Sequence, residues 1–256
     1  MSDKILCFAD LHMRFNGSFE MMSIKDIIKK EKPSYVLIAG DVFENDITFN
    51  PYKELAKLKV PVICCFGNHE FAYRSIDDVK KQYLDQYKPE KYDVHYLDLI
   101  GSKEIEFNGE KVNIVGNVLW YDGSFKDIPS QKLEIIPQWL DHTIIDFNFI
   151  EENRKCVEQI KANYKKNEKN ILLTHCVPDR RLNMFSLEGQ SLYNMYSGCE
   201  LLEQFRKEGT CFFDWVICGH THRYATMTYH DQRCVNIGND YFHRTGTIEY
   251  FIIEEM

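Results

Sequence analysis

Five short apolar runs, Ile5–Ala9, Tyr35–Ala39, Val60–Phe66, Asn170–Thr174 and Trp215–Cys218, each stop at a residue that can bind a metal or move a proton. The first run delivers Asp10-Leu11-His12 and the second Gly40-Asp41. The third delivers Gly67-Asn68-His69-Glu70, the fourth Thr174-His175 and the fifth Gly219-His220-Thr221-His222. Apolar runs of this length, bounded by turn residues, predict strands buried on both faces. Between the first two lies Met21–Lys32, whose Met21, Ile24, Ile27 and Ile28 share one helical face before Pro33 ends it. Pro51–Lys59 repeats the device with Leu55 and Leu58. Strand, helix, strand, helix, strand is the rhythm of a parallel α/β sheet, and such sheets collect ligands at the carboxyl ends of their strands. That edge would carry Asp10, Asp41, Asn68, His12, His69, His175, His220 and His222.

Further along, the pattern changes. Lys103–Phe107 and Lys111–Val115 flank Asn108-Gly109, a strong hairpin signal. Ala225–Tyr229, Arg233–Ile237 and Thr247–Ile253 predict further strands, the first two joined at Asp231-Gln232. Antiparallel pairing is therefore expected beside the parallel core. Phe147–Lys166 predicts an amphipathic helix whose lysine-rich end solvates it. With no internal repeat and no linker rich in Pro, Gly or Ser, residues 1–256 read as one domain.

Charge and cysteine usage restrict the setting. Thirty-one Lys and Arg against 39 Asp and Glu give a net charge of −8, which offers no long-range attraction to nucleic acid or anionic lipid. No apolar run approaches the roughly 20 residues of a membrane span, and the N-terminus turns polar too early for a secretory signal. The nine cysteines are an odd number without a CxxC pair, as expected in a reducing cytoplasm. Cys64 and Cys65 should point to opposite faces of their strand. Cys7, Cys64, Cys211 and Cys218 read as core residues, and Cys176 is of interest because it follows His175.

A lone Gly-Asp or Asp-x-His is an ordinary turn. Five such fragments at the same place in a regular series are not, and they predict a shared metal site. Carboxylate, imidazole and amide donors suit Mn, Fe, Zn or similar ions. Seven candidate ligands are too many for one tetrahedral ion with an open position, and they suit two ions about 3.5–4 Å apart. The residual positive charge would attract an anionic, oxygen-rich substrate such as a phosphate ester.

The order D-x-H, G-D, G-N-H-E, H, G-H-x-H, running from Asp10 to His222, resembles the calcineurin-like metallophosphoesterases. The resemblance implies two mixed β-sheets packed as a sandwich flanked by α-helices, with a dinuclear centre at one edge. It implies that Asp10, His12 and His222 hold one metal, that Asn68, His175 and His220 hold the other, and that Asp41 bridges them. It implies two divalent or mixed-valence ions, Mn or Fe first and Zn as the alternative. A bridging hydroxide would attack a phosphomonoester or phosphodiester in line. His69 matches the histidine that protonates the departing alkoxide, and Glu44 the acidic partner found near it. Gly116–Asp122 is similar to a segment of small bacterial members.

The chain also departs from relatives within that superfamily. Gly40-Asp41-Val42-Phe43-Glu44-Asn45-Asp46 lacks the arginine of the G-D-x-V-D-R-G motif of the protein Ser/Thr phosphatases. The repair nucleases need a basic groove, and none can be placed here, so a nuclease is the runner-up reading. A metal-bound protein-binding scaffold is the alternative from another class. Arg14, Arg74, Arg180, Arg181 and Arg223 are candidates for substrate phosphate, and Arg180–Phe185 with Tyr193–Ser197 for a specificity wall. His95, His142, His230 and His243 read as structural. The expected partner is a small phosphoester, with no membrane and no general affinity for nucleic acid; oligomeric state stays open.

Overall fold

Strand β1 (Ile5–Ala9) is buried along its whole length because its two faces serve two different cores. Ile5, Cys7 and Ala9 face a second sheet, whereas Leu6 and Phe8 face helices. This is the reason for the unbroken apolar run, since a strand covered on both sides has no solvent face to mark with polar residues. The computed structural model describes residues 2–13, 18–43, 49–125, 145, 148–183, 194–239 and 246–256.

The first sheet places β1 beside β2 (Tyr35–Ala39), β3 (Val62–Cys65) and β4 (Val94–Tyr96), all parallel. The last strand of the chain, β11 (Phe251–Ile253), runs antiparallel on the outer side of β1. The second sheet has the order β5 (Ser102–Phe107), β6 (Glu110–Asn117), β7 (Lys169–Thr174), β8 (Trp215–Cys218), β10 (Gln232–Asn236), β9 (Ala225–Tyr229). Its four central strands are parallel and its two edges antiparallel. Between the sheets, Ile5, Leu37, Ile63 and Cys65 meet Ile114, Ile171, Leu173 and Ile217. Helices α1 (Ser18–Glu31), α2 (Pro51–Leu55) and α3 (Ile76–Gln86) follow strands of the first sheet, and Ile24, Leu55 and Val79 join the apolar cluster on its outer face. Helices α5 (Phe149–Asn163) and α6 (Leu201–Glu208) cover the second, through Val157, Ile160, Leu202 and Phe205. Two mixed sheets flanked by helices form the expected sandwich.

The sequence expectations hold with local corrections. Cys64 and Cys65 do part, one to the helix side and one to the sandwich. The Pro51–Lys59 helix is five α-helical residues followed by a 3₁₀ turn, closed by Lys59 at φ 60°. The strand foreseen over Val60–Phe66 is confined to Val62–Cys65. Of Thr247–Ile253 only Phe251–Ile253 is strand, and it joins the first sheet. The β9–β10 turn is His230-Asp231, at φ 46° and 68°, one residue earlier than expected, because Gln232 is already paired with Tyr229. Strand β4 was not foreseen. Among the described residues no helix is long and apolar enough to cross a membrane. All nine cysteines are described, and none forms a disulfide.

Short helix α4 (Leu97–Ile100) carries the residue that locks the two sheets together at the carboxyl ends of their strands. Asp98 accepts from Phe66 N–H (2.7 Å), just beyond β3, and from Val118 N–H (2.8 Å), just beyond β6. Burial pushes its carboxyl up to about 6, against the opposing pull of these two bonds. Because that value lies above 3.8, the folded protein holds this proton more tightly than the unfolded chain between the two pH values. Stability from this group is full below that window and lost as pH rises through it. The expected loss is about 3 kcal/mol between pH 4 and 6. Denaturant unfolding of wild type and Asp98→Asn across that range should show this slope only in wild type; equal slopes would remove Asp98 from the account.

Candidate metal centre

Register brings the motifs to one level. Ala9 pairs with Ala39 and Ala39 with Cys65, so the loops carrying Asp10, Asp41 and Asn68 leave the first sheet side by side. They are stitched together by His12 N–H to Asp41 O (2.9 Å) and Met13 N–H to Val42 O (3.0 Å). From the second sheet, Gly219 N–H donates to His175 O (3.0 Å), which fixes the β8 loop against the β7 loop. His220 N–H donates to both oxygens of Asp10 (2.9 and 3.1 Å), tying the two sheets across the site.

Three of the expected residues converge tightly. His175 Nε2 lies 2.8 Å from Asn68 Oδ1, His220 Nδ1 lies 3.1 Å from that same oxygen, and the two ring nitrogens are 3.2 Å apart. Their tautomers follow from the opposite ring edges. His175 Nδ1 meets Ala39 O at 3.0 Å and His220 Nε2 meets Tyr196 O at 2.8 Å. A carbonyl only accepts, so both of these nitrogens carry the hydrogen. Asn68 Oδ1, His175 Nε2 and His220 Nδ1 thus converge within 3.2 Å, an arrangement that a cation, whether a proton or a metal ion, holds together. Consistently, His175 is pushed up to about 9: burial alone would lower it, but the Asp41 and Asp10 carboxylates outweigh burial. His220 is driven down to about 3 by burial and by His175 beside it.

A second group lies next to the first. Ligand atoms of Asp10, His12 and His222 all lie within 4.8 Å of one another. The His12 and His222 rings are stacked with centroids 5.1 Å apart. Between the groups sits Asp41, whose Oδ2 is 3.4 Å from His175 Nε2 and 3.7 Å from His12 Nε2. Burial would raise the Asp41 carboxyl, yet His175, His69 and His12 together hold it well below the usual carboxylate range. His69 Nε2 is 3.9 Å from Asp41 Oδ2, and its ring is an edge contact of His12 at 4.6 Å. Geometry alone thus also forms a candidate group from His12, Asp41 and His69. The His69 side chain is 12% exposed, against 2% for His12 and none for His175, and His220 and His222 are likewise only partly buried.

The glycines explain how carboxylate and imidazole approach so closely. A Cβ on Gly67 would stand 2.0 Å from Asp41 Oδ1, and one on Gly40, itself at φ 74°, 2.5 Å from the His175 ring.

Several expectations move. Arg180 is held by Glu200 and by Ser124 O (2.7 Å), and Arg181 grips Asp179 while lying 3.7 Å over the Tyr229 ring. Neither serves the centre. Arg74 donates to Asp78 O (3.3 Å) on α3. His95 bridges Tyr87 and Asp93, a structural role as expected. Cys176 packs in the helix-side core and belongs to none of the three candidate metal groups. Glu44, Arg14, His142, His243 and much of the expected specificity wall, including Phe185 and Tyr193, lie outside the described residues. Tyr196 contributes, though through its carbonyl.

Glu70, quoted in its motif but given no task by the sequence, is the residue that was missed. Its Oε1 accepts from Val42 N–H (2.9 Å) and Phe43 N–H (3.1 Å), and its Oε2 from Gly67 N–H (2.7 Å). One buried carboxylate thus clamps the loop after Asp41 to the loop before Asn68. Burial and the Asp41 charge push it up to about 7. The signal was present in the sequence as an acid directly after two site residues, but its partners are main-chain groups.

The sequence model of the calcineurin-like phosphoesterase family matches residues 3–224. No curated protein sequence matches the chain. The solved phosphopantetheinyl hydrolase of Mycobacterium tuberculosis is similar in fold, with TM-score 0.69 and 16% identity over 96% of this chain and 93% of that one. A dimetal phosphatase from Danio rerio gives TM-score 0.51 and 12% identity over 98% and 92%. GAP50, described as the anchor in the inner membrane complex of Plasmodium, gives 0.54 and 11% over 93% and 71%.

Exchanging Glu70 for Gln leaves one accepting oxygen for three N–H donors. The expected result is a folded protein whose metal affinity falls roughly 10–100-fold, as for groups that orient ligands from behind. Metal titration followed by calorimetry, beside circular dichroism, measures this; unchanged affinity would show that the clamp is dispensable.

Proposed function

Because the chain belongs to the calcineurin-like phosphoesterases, hydrolases of phosphoester bonds, we propose that it cleaves small phosphomonoesters or phosphodiesters at a centre of two divalent ions. Asp10, His12 and His222 would hold one ion, Asn68, His175 and His220 the other, with Asp41 shared. The observation that carries this reading is the convergence of Asn68 Oδ1, His175 Nε2 and His220 Nδ1 within 3.2 Å. Hard and borderline donors of this kind suit Mn or Fe, with Zn as the alternative. Such ions, when bound, supply Lewis acidity and an activated water for attack in line with the leaving group.

The chain's own residues do the rest. Asp10 and Asp41 are fixed by backbone N–H groups of His220 and His69, so their remaining lone pairs point into the centre without a search over rotamers. His69, 12% exposed and 3.9 Å from Asp41 Oδ2, can carry a proton at Nε2 and give it to the departing oxygen. Glu44 is proposed as its acidic partner. Arg180 and Arg181 are committed to Glu200 and Asp179, and the net charge of −8 favours small esters over nucleic acid. Family coverage to residue 224, and closure of the first sheet by β11, support a single domain over 1–256. The absence of disulfides among nine cysteines supports a cytoplasmic setting.

Two substitutions test the assignment. Asp41→Asn should lower the content of both ions together in elemental analysis and abolish turnover; full activity with two ions bound would sink the shared-ligand role. His69→Ala should keep both ions and slow turnover by roughly 10²–10⁴-fold. That loss should be large for alkyl esters and small for p-nitrophenyl esters, whose leaving group is stable without a proton. Equal losses, or loss of an ion, would show that His69 is not the acid.

A further inference from the structure

Twelve non-glycine residues among those described have positive φ. Five are candidate ligands: Asp10, His12, Asp41, His220 and His222. Asn108, His230 and Asp231 form hairpin turns, and Lys32 and Lys59 terminate helical segments. Leu119 follows the turn in which its N–H meets the Asn117 side chain. Tyr73, at φ 60°, is left over.

Its setting is a turn that calls for glycine. Phe71 O accepts from Arg74 N–H at 3.1 Å, and Ala72 has φ −54° and ψ 126°. With Tyr73 at φ 60° this is a type II turn, whose third position favours Gly or Asn because a Cβ is strained there. The side chain gains no packing in return, being 78% exposed. A strained, exposed aromatic ring is thus retained in the loop that begins at His69. Ala72 N–H donates back to His69 O at 3.2 Å, folding that loop on itself. Two hydrogen-bonded turns in succession keep the Tyr73 Cα within about 11 Å of the His69 Cα. A side chain on a Cα so placed is within reach of a leaving group at His69, given that His69 protonates the leaving oxygen.

We propose that Tyr73 is a specificity-determining residue whose ring stacks on a flat, unsaturated leaving group of the phosphoester. The inference rests on the phosphoesterase reading above. The phenol OH is not needed for stacking; the π-face is.

The test compares phenyl phosphate with ethyl phosphate for the metal-loaded wild type, Tyr73→Gly and Tyr73→Phe. In Tyr73→Gly the ratio of kcat/KM for phenyl over ethyl ester should fall roughly two- to twelvefold, the range expected for losing one aromatic pair. The fall should appear in KM, because stacking binds the ground state as well as the transition state. Tyr73→Phe should keep the wild-type ratio. The Tm of Tyr73→Gly should equal or exceed that of wild type, as glycine relieves the turn; a lower Tm with equal losses on both esters would mean a structural role and overturn the proposal. Hydrolysis by wild type with an unchanged ratio in Tyr73→Gly would overturn the ring's role alone. Hydrolysis of neither ester by the metal-loaded wild type would overturn the phosphoesterase reading, and the ring's role with it.

Discussion

A carboxylate taken out of water is the constraint around which this molecule is arranged. Asp41 is only 1% exposed, and an isolated ionised carboxyl at that depth would take up a proton instead. It stays charged because imidazoles surround one oxygen and His69 N–H holds the other at 3.0 Å. Those imidazoles arrive from both sheets, so the charge can be kept only if the sandwich closes. The features that permit closure are therefore all local to Asp41. Gly67 leaves room for its carboxylate, Gly40 leaves room for His175, and Glu70 holds the adjoining loops at fixed separation.

The same loops store strain. Asp10, His12, Asp41, His220 and His222 all sit in the left-handed region, and His220 is the centre of a tight turn closed by Thr221 N–H to Gly219 O at 2.9 Å. Each such residue costs of order 1–3 kcal/mol. Left-handed geometry turns the chain sharply after an extended strand, which lets alternate residues of one short loop reach into the same centre. Asp10 with His12, and His220 with His222, use it twice over. Stability spent in this way is supplied by strands such as β1 and β2, whose side chains are buried on both faces.

How much of this was legible depends on the kind of interaction. Strands Ile5–Ala9, Tyr35–Ala39 and Trp215–Cys218 were readable to the residue, because burial on two faces leaves an uninterrupted apolar signature. The convergence of Asp10, Asp41, Asn68, His175 and His220 was readable because parallel strands deliver their ends to one edge. What escaped were side chains that bind main chain far away in sequence. Asp98 serves Phe66 and Val118, Glu70 serves Val42 and Phe43, and Tyr196 offers a carbonyl to His220. A backbone group has no identity in the sequence, so its partner looks like any other acid or any other loop residue. Strand β4 escaped for another reason: three residues, Val94–Tyr96, are too few to show a period.

His69 and Asn68 show how one bond decides between neighbouring roles. Asn68 turns its oxygen toward His175 and His220, while His69 begins a 3₁₀ turn and keeps its ring beside Asp41 and His12. The positive charge of the centre then has a definite place. The Asp41 and Asp10 carboxylates push His175 up to about 9 against burial, and a proton at its Nε2 would donate to Asn68 Oδ1, 2.8 Å away. A divalent ion held by Asn68, His175 and His220, as proposed, would perform the same electrostatic task with more charge. Loading of the proposed site would then exchange a proton for a metal ion. Asp41 thus has a positive neighbour in His175, and that is how a buried carboxylate can be built into the sandwich.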